Sequence, residues 1–394
     1  MIGRINMHKD KKTIAVIFGG QSPEHDISII TAHIPIIQSL LATNQYNVVP
    51  IYIAHDGSWY SNQAMNDMAY FKQADFKETI RREKKLQLAF DDGLKIIWPG
   101  IVPKTVAIDL VFPATHGTLG EDGSLMGLLR MANVPFVGCD LFASATAMDK
   151  VLTKQVISAE GVPVVPYIWF TKSDWAKNKV NLLKDADKLK WPLFVKPVHL
   201  GSSIAISKVD NKAELENAIE VAFHYDDKVL VEEAVKNLIE VTLPIMGNDE
   251  LQFGGIERAL NKTEFFNFDD KYMSGGKKGK GANTGRYSEI PAKISKELSK
   301  EVIKWGEATY RTLGCSGIAR VDFLIDGAKN QVYVNEVNTL PGSLYHHNWK
   351  AVGVSNIDLV TNLVKLAEER FETNKQLTRT FDSDVLNKAG GGKI

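Results

Sequence analysis

Cysteine is nearly absent from this chain: two residues in 394, Cys139 and Cys315. They allow one pairing at most, which excludes a disulfide framework and makes a cytoplasmic compartment the simplest expectation. Net charge is absent too, with 47 Lys plus Arg against 47 Asp plus Glu. That balance excludes a global attraction to nucleic acid or to an anionic membrane. No run of about 18 apolar residues occurs, so no membrane span is expected. Residues 1–12 are polar and mixed in charge, without the apolar segment and small-residue cleavage site of a signal peptide. Three motifs are missing as well. Without G-x-G-x-x-G no dinucleotide site is expected, without G-x-x-x-x-G-K-[ST] no Walker loop, and without G-x-S-x-G no serine hydrolase. His346 and His347 are adjacent and lack a third ligand at usual spacing, which argues against zinc.

What is present is an ordinary globular composition, 44% apolar, in a chain long enough for two or three domains. Thr13 to Phe18 reads as a strand, and Ile27, Ile30, Ile34, Ile37 and Leu41 as a helical stripe. Ser22 fits its N-cap, with Pro23 at the first helical position. Further strands are expected at Val48 to Ile53 and Ala107 to Phe112, with a polar, poorly defined stretch from Asn62 to Lys85. Residues 1–138 are therefore expected to form an α/β domain with a mostly parallel sheet. Residues 139–228 read as a smaller unit: a helix from Ser144 to Glu160, strands near Tyr167 and Phe194, and a helix from Lys212 to Phe223. Residues 229–372 read as a third. Its strands are Val229–Glu232, Glu240–Met246, Arg320–Ile325 and Gln331–Val337; its helices are Lys293–Leu313 and Asn356–Arg370. Residues 373–394 read as a loosely held tail.

Five constellations carry possible chemistry. Gly19-Gly20 opens a helix after a strand, a turn able to cradle phosphate. Glu24, in the first helical turn, either complements the helix dipole or faces a ligand's ammonium. His116-Gly-Thr-Leu-Gly-Glu-Asp-Gly123 follows a strand, where loops line a ligand crevice. Lys196 ends a strand before Gly201-Ser202-Ser203; backbone N–H groups, hydroxyls and an ammonium there suit triphosphate, though a surface loop reads equally well. Glu232 and Glu240 offer acceptors at strand ends for an adenine amino group and ribose hydroxyls, or form a solvated turn.

The fifth is the richest. Arg320-Val-Asp322 and Glu336-Val-Asn338 lie on two alternating runs joined by turn residues 326–330. By the period of two, each pair shares a face. Folding the hairpin about Ala328 sets Arg320 opposite Glu336. Asp322, Glu336 and Asn338 then present hard oxygens suited to magnesium, beside a permanent cation. The plain reading is a polar face with one weak Arg–Glu pair.

Taken in order, the stretches IAVIFGGQSPEHDISIITA, HGTLGEDGSLMGLLR, ATAMDKVLTK, FVKPVHLGSSIAISKV, FDDKY, GCSGIARVDF and NEVNTLPG resemble the D-alanine–D-alanine ligase family of ATP-grasp enzymes. They span residues 14–342. The resemblance implies a three-domain ATP-grasp fold, α/β at the N-terminus and α+β overall, with nucleotide between the central and C-terminal domains. It implies that Lys150, Lys196, Ser203 and Lys271 hold ATP, with Glu232 and Glu240 at adenine and ribose. It implies that Asp322, Glu336 and Asn338 ligate two magnesium ions, manganese being a substitute. Glu24 would take the first amino acid's ammonium and form a hydrogen-bonded set with Ser202 and Tyr272. Arg320 and the Gly342 backbone would face the oxyanion. The Lys/Gly-rich segment 274–281 would continue a lid. A homodimer is expected on the same ground.

The implied reaction is ligation of two D-alanines through an acyl phosphate, for peptidoglycan precursors. The chain departs from the family at Met126, Ala205 and Phe266-Asn267, and above all at Ser343-Leu-Tyr-His-His-Asn348, where the family carries a Ser/Thr-rich acceptor stretch. His346 or His347 is the expected replacement contact to the acceptor carboxylate, with His116 also near substrate. Tyr272 follows the dipeptide formers, so an amino acid acceptor is expected, not D-lactate. The alternatives are a ligase for another pair, D-Ala with D-Ser or L-amino acids, and a non-catalytic nucleotide-binding regulator. Retention of Lys196, Arg320, Asp322, Glu336 and Asn338 argues against the regulator.

Overall fold

The computed structural model describes residues 8, 10–91, 93–260 and 288–388. The expectations for Lys271, Tyr272 and the 274–281 segment lie outside these.

Strands β1 (Lys12–Gly19), β2 (Tyr46–Ile53) and β3 (Trp59–Tyr60) begin the chain, and β4 (Gln87–Phe90), β5 (Leu94–Trp98) and β6 (Lys104–Ile108) form an antiparallel meander. β7 (Leu110–Pro113) returns beside β1, giving the order β3-β2-β1-β7, with β1 parallel to both β2 and β7. β1 is buried from Thr13 onward, as a strand covered on both faces should be. The expected strand at Ala107 to Phe112 is therefore two strands in different sheets. Asp109 separates them, its carboxylate accepting the Thr13 N–H at 2.7 Å.

The helical stretch His25–Thr43 is long and apolar enough to cross a membrane, but 56% of it is buried inside the molecule. Ile29, Ala32, Ile36, Ile37 and Leu40 pack on the sheet together with Leu359, Val360 and Leu363 of the helix Asn356–Lys375. It widens to a π-turn over Ala32–Ile37 around Pro35, whose missing N–H and ring do not fit a regular ladder. Its N-cap is Glu24, not Ser22, and no side chain caps it. Ser22 instead accepts the Glu24 N–H at 3.1 Å, so Pro23 lies before the helix. The 62–85 stretch holds two 3₁₀ turns, Gln63–Asn66 and Met68–Lys72, and the helix Phe76–Arg82.

The helix expected from Ser144 to Glu160 is two, Leu141–Met148 and Lys150–Ala159. Asp149 breaks it with extended backbone (ψ 104°) and caps the second helix, accepting from Val151 and Leu152 N–H. β8 (Tyr167–Thr171), β9 (Leu193–Pro197), β10 (Ser207–Val209) and β11 (Lys228–Glu233) form an antiparallel sheet in the order β10-β9-β11-β8. A third sheet contains β12 (Leu238–Gly247), β13 (Leu251–Phe253), β14 (Glu257–Ala259), β15 (Ser288–Glu289), β16 (Gly317–Asp326) and β17 (Gln331–Asn338). Its order is β15-β14-β12-β16-β17, with β13 on β12. The helix Lys296–Thr312 covers it, burying Leu298 and Val302 against Leu243, Ile245 and Phe323.

Candidate active site

The β16–β17 hairpin supplies the floor. Near the turn Asp326 pairs with Gln331 and Phe323 with Val334; beyond it Asp322 pairs with Glu336 and Arg320 with Asn338. Asn335 is thus an extra residue, a β-bulge. The expected Arg320–Glu336 opposition is corrected by two residues. The bulge also decides the face. Continued without it, the turn-side register would place Asn335 opposite Asp322 and turn Glu336 away.

Arg320 donates Nε to Asp322 Oδ1 at 2.6 Å and Nη2 to Oδ2 at 2.5 Å, a bidentate fork. Asn338 Nδ2 donates to Asp322 Oδ2 at 3.2 Å. Burial opposes the guanidinium charge, but Asp322, Tyr345 and Glu336 outweigh it. The Tyr345 ring lies 4.5 Å from the guanidinium carbon. Two carboxylates and an amide oxygen on one face are a donor set that fits magnesium.

Beside this floor stand three lysines. Lys196 at the end of β9 pairs with Glu232 at 2.5 Å and donates to Asn335 Oδ1 at 3.1 Å. Lys154 pairs with the other oxygen of Glu232 at 2.9 Å. Burial pushes the Glu232 carboxyl up, but the two ammonium groups prevail and hold it down at about 2. Glu232, expected at adenine, is thus 1% exposed and engaged by two lysines. Lys150 donates to Leu200 O at 2.6 Å and lies 3.9 Å from Glu336. Burial lowers its pKa. Glu240 sits half-buried on β12 opposite Leu324.

The loop after β9 reaches the N-terminal unit, where the Ser202 hydroxyl donates to Glu24 Oε1 across 178 positions of sequence. Two glycines leave room for that carboxylate. A Cβ on Gly117 would meet Glu24 Oε2 at 3.0 Å and clash with Ser22 Oγ; one on Gly201 would meet Oε2 at 3.4 Å. Ser202, Ser203 and Ala205 all have positive φ, 54°, 58° and 55°. Ala205 stands at a left-handed position that glycine adopts without steric cost.

His116 is buried, its Nε2 2.8 Å from Thr31 Oγ1, which accepts the Ser343 N–H at 2.8 Å. A Thr31 hydroxyl donating to Nε2 leaves the ring proton on Nδ1, 3.9 Å from Glu121. Ser343, Leu344 and Tyr345 then run through three consecutive left-handed conformations, φ 49°, 53° and 48°. Each costs an L-residue about 1–2 kcal/mol. Burial of Leu344 and the Tyr345–Arg320 contact offset the strain. His347, expected at the acceptor carboxylate, has its Nε2 3.2 Å from a carboxylate of the protein itself, Glu257. His346 Nδ1 lies 3.0 Å from Ser343 O.

Sequence reasoning missed Thr31, Lys154, Asn335 and Tyr345. Lys154 had a signal, lying four positions after Lys150 on one helical face. The other three depend on contacts between distant segments.

A family model described as D-ala D-ala ligase N-terminus matches residues 13–139, and one described as D-ala D-ala ligase C-terminus matches 156–365. The chain is 35% identical over 376 residues to the D-alanine–D-alanine ligase of Thermosipho africanus, covering 95% of this chain and 98% of the relative. It is 36% identical to D-alanine–D-alanine ligase A of Salmonella typhimurium, over 94% of this chain and all of that one. Among solved structures, the D-alanine–D-alanine ligase of Coxiella burnetii superposes with a TM-score of 0.76 at 30% identity, covering 93% of this chain and 98% of that one. A D-Ala:D-Ser ligase from Enterococcus faecalis superposes at 0.75 and 32% identity, covering 91% and 99%.

Proposed function

The chain belongs to the D-alanine–D-alanine ligase family, and on that premise we propose that it joins two D-alanines to D-alanyl-D-alanine at the expense of ATP. The reaction passes through an acyl phosphate and serves peptidoglycan precursor synthesis in the cytoplasm. One observation carries the reading: Glu24, Ser202, Lys150 and Glu336, from four separate segments, form one continuous line of contacts through the 200–202 loop.

In this reading the Glu24 carboxylate, oriented by Ser202, takes the ammonium of the first D-alanine. That leaves the substrate carboxylate directed toward the lysines. Lys150 and Lys196 spread the negative charge of the ATP phosphates as the carboxylate attacks the γ-phosphate. Asp322, Glu336 and Asn338 would hold two magnesium ions, or manganese, which supply further neutralisation at the phosphates. The neutral amine of the second D-alanine attacks the acyl carbon; the C–O bond to phosphate then breaks, inorganic phosphate leaves, and the nitrogen gives up a proton to solvent as the amide forms. Arg320, with the Gly342 backbone, offsets the oxyanion of the tetrahedral intermediate, an effect of about 3–4 kcal/mol per preorganised donor. The Arg320–Asp322 fork holds the guanidinium in place before the charge develops. His116 and Thr31 act at one remove, fixing the Ser343 backbone at the head of the acceptor segment.

A second reading, a D-Ala:D-Ser ligase, is favoured by the likeness to the Enterococcus faecalis structure and by the unusual 343–348 segment. A coupled ADP-release assay over paired D- and L-amino acids, with products identified by mass, separates the two. The expected product is D-alanyl-D-alanine. Turnover only with D-serine as acceptor establishes the second reading. Absence of ADP release in every pair that contains D-alanine overturns both.

A further inference from the structure

His199 lies on the strand-to-loop connection between Lys196 and Ser202, and it is engaged at three points. Its backbone N–H donates to Asp226 Oδ2 at 2.6 Å. Its ring Nδ1 lies 2.9 Å from Asp226 Oδ1 and its Nε2 3.3 Å from Asp149 Oδ2. Two ionised carboxylates offer only lone pairs, so both ring nitrogens carry protons and the ring is an imidazolium. Asp149 is also the N-cap of the helix that begins at Lys150, and its Oδ2 accepts from Lys228 Nζ at 2.7 Å. On either side of His199, the carbonyls of Val198 and Leu200 both receive Lys150: its backbone N–H at 3.4 Å on Val198, and Nζ at 3.5 Å and 2.6 Å. The imidazolium therefore ties together the head of the Lys150 helix, the phosphate loop and the start of β11.

We infer that His199 is a positioning residue: held between Asp149 and Asp226, it fixes the carbonyls that aim the Lys150 ammonium and so sets the affinity for ATP. The inference rests on the proposed reading of Lys150 as a phosphate-binding group. Its geometry is that of a charge-assisted clamp: a neutral imidazole carries a single N–H and can donate to only one of the two carboxylates. Among the described residues, the charged groups around the ring are Asp149 and Lys150 at the helix head, Asp226, Lys228 on β11, and Asp227. The Asp227 carboxylate lies within 4.8 Å of the ligating atoms of His199 and Asp226. Hydrogen bonds to Asp149 and Asp226 raise the His199 pKa to about 9 against the cost of burial. The clamp is thus closed at neutral pH and opens as pH rises through that value.

The test uses the full-length protein and a fluorescent N-methylanthraniloyl ATP with magnesium chloride, without amino acids, so that it reads nucleotide binding apart from ligation. His199→Asn is expected to weaken binding about tenfold; in a separate ADP-release assay with D-alanine, kcat changes less than KM for ATP. His199→Arg keeps the cation and is expected to stay within about twofold of the parent, and its affinity does not fall between pH 8 and 9.5 as the parent's does. Equal losses in the two variants, or unchanged affinity in His199→Asn, overturn the inference. If the variants fail to fold, a ¹⁵N-histidine NMR titration of the parent decides. A His199 ring titrating near about 6.5, the ordinary histidine value, overturns it. Tight nucleotide binding without ADP release on D-alanine counts against the ligase reading and leaves this test standing.

Discussion

Lys154 and Glu232 face each other at 2.9 Å with each side chain 1% exposed, and Lys196 closes on the other carboxylate oxygen. Glu232 thus neutralises two buried ammonium groups. Replacing it by Gln removes the carboxylate nearest to both, and breaking a buried pair costs about 3–5 kcal/mol. Glu232→Gln is expected to lower stability by that order in guanidinium unfolding. Lys154→Met is expected to cost less, because Glu232 keeps Lys196.

The same pair makes a pH prediction. A carboxylate with a folded pKa below its unfolded value stabilises the fold above the unfolded value and loses that contribution as pH falls. Glu232 sits at about 2 against an ordinary 4.5. Its contribution is expected in full above about pH 5 and to fade toward pH 2. Thermal melts across that window are expected to show a flatter acid slope in Glu232→Gln than in the parent. Parallel slopes would contradict the assignment.

Ala205 holds φ 55° where glycine carries no steric penalty. Relief of the left-handed strain is about 1–2 kcal/mol, part of which the greater freedom of unfolded glycine cancels. Ala205→Gly is expected to raise the unfolding free energy, measured by guanidinium unfolding, by a net of up to about 1 kcal/mol, with kcat little changed.

Gly117, at φ 69°, leaves its missing Cβ's place to Ser22 and Glu24. Gly117→Ala is expected to displace the Glu24 carboxylate. Steady-state kinetics should show KM for the first D-alanine rising about tenfold, as for the loss of about 1.4 kcal/mol of binding, while KM for ATP moves little.

In the proposed mechanism Arg320 acts late, on the oxyanion. Arg320→Met is expected to lower kcat by about 10²- to 10³-fold with little change in nucleotide affinity. A loss confined to KM for ATP would move Arg320 from the intermediate to the phosphates.

The period of two along β16 and β17 was enough to put Arg320 with Asp322, and Glu336 with Asn338, because side-chain alternation is a local property of a strand. The ordered motifs, the strand at β1 and the Lys196–Ser202 loop were legible for the same reason: each rests on residues near one another in sequence. Only the tertiary structure decided which faces met. The bulge at Asn335 depends on how two strands align, not on either alone. The break at Asp149 was hidden because an N-cap and a helix-interior aspartate differ only in backbone conformation. The left-handed run at Ser343 to Tyr345 has no local cause, since every residue in it prefers another conformation. It is held by Thr31, some 312 positions away, and by Arg320. Such conformations are set by contacts whose combined energy exceeds local preference, and those contacts exist only once the chain has folded.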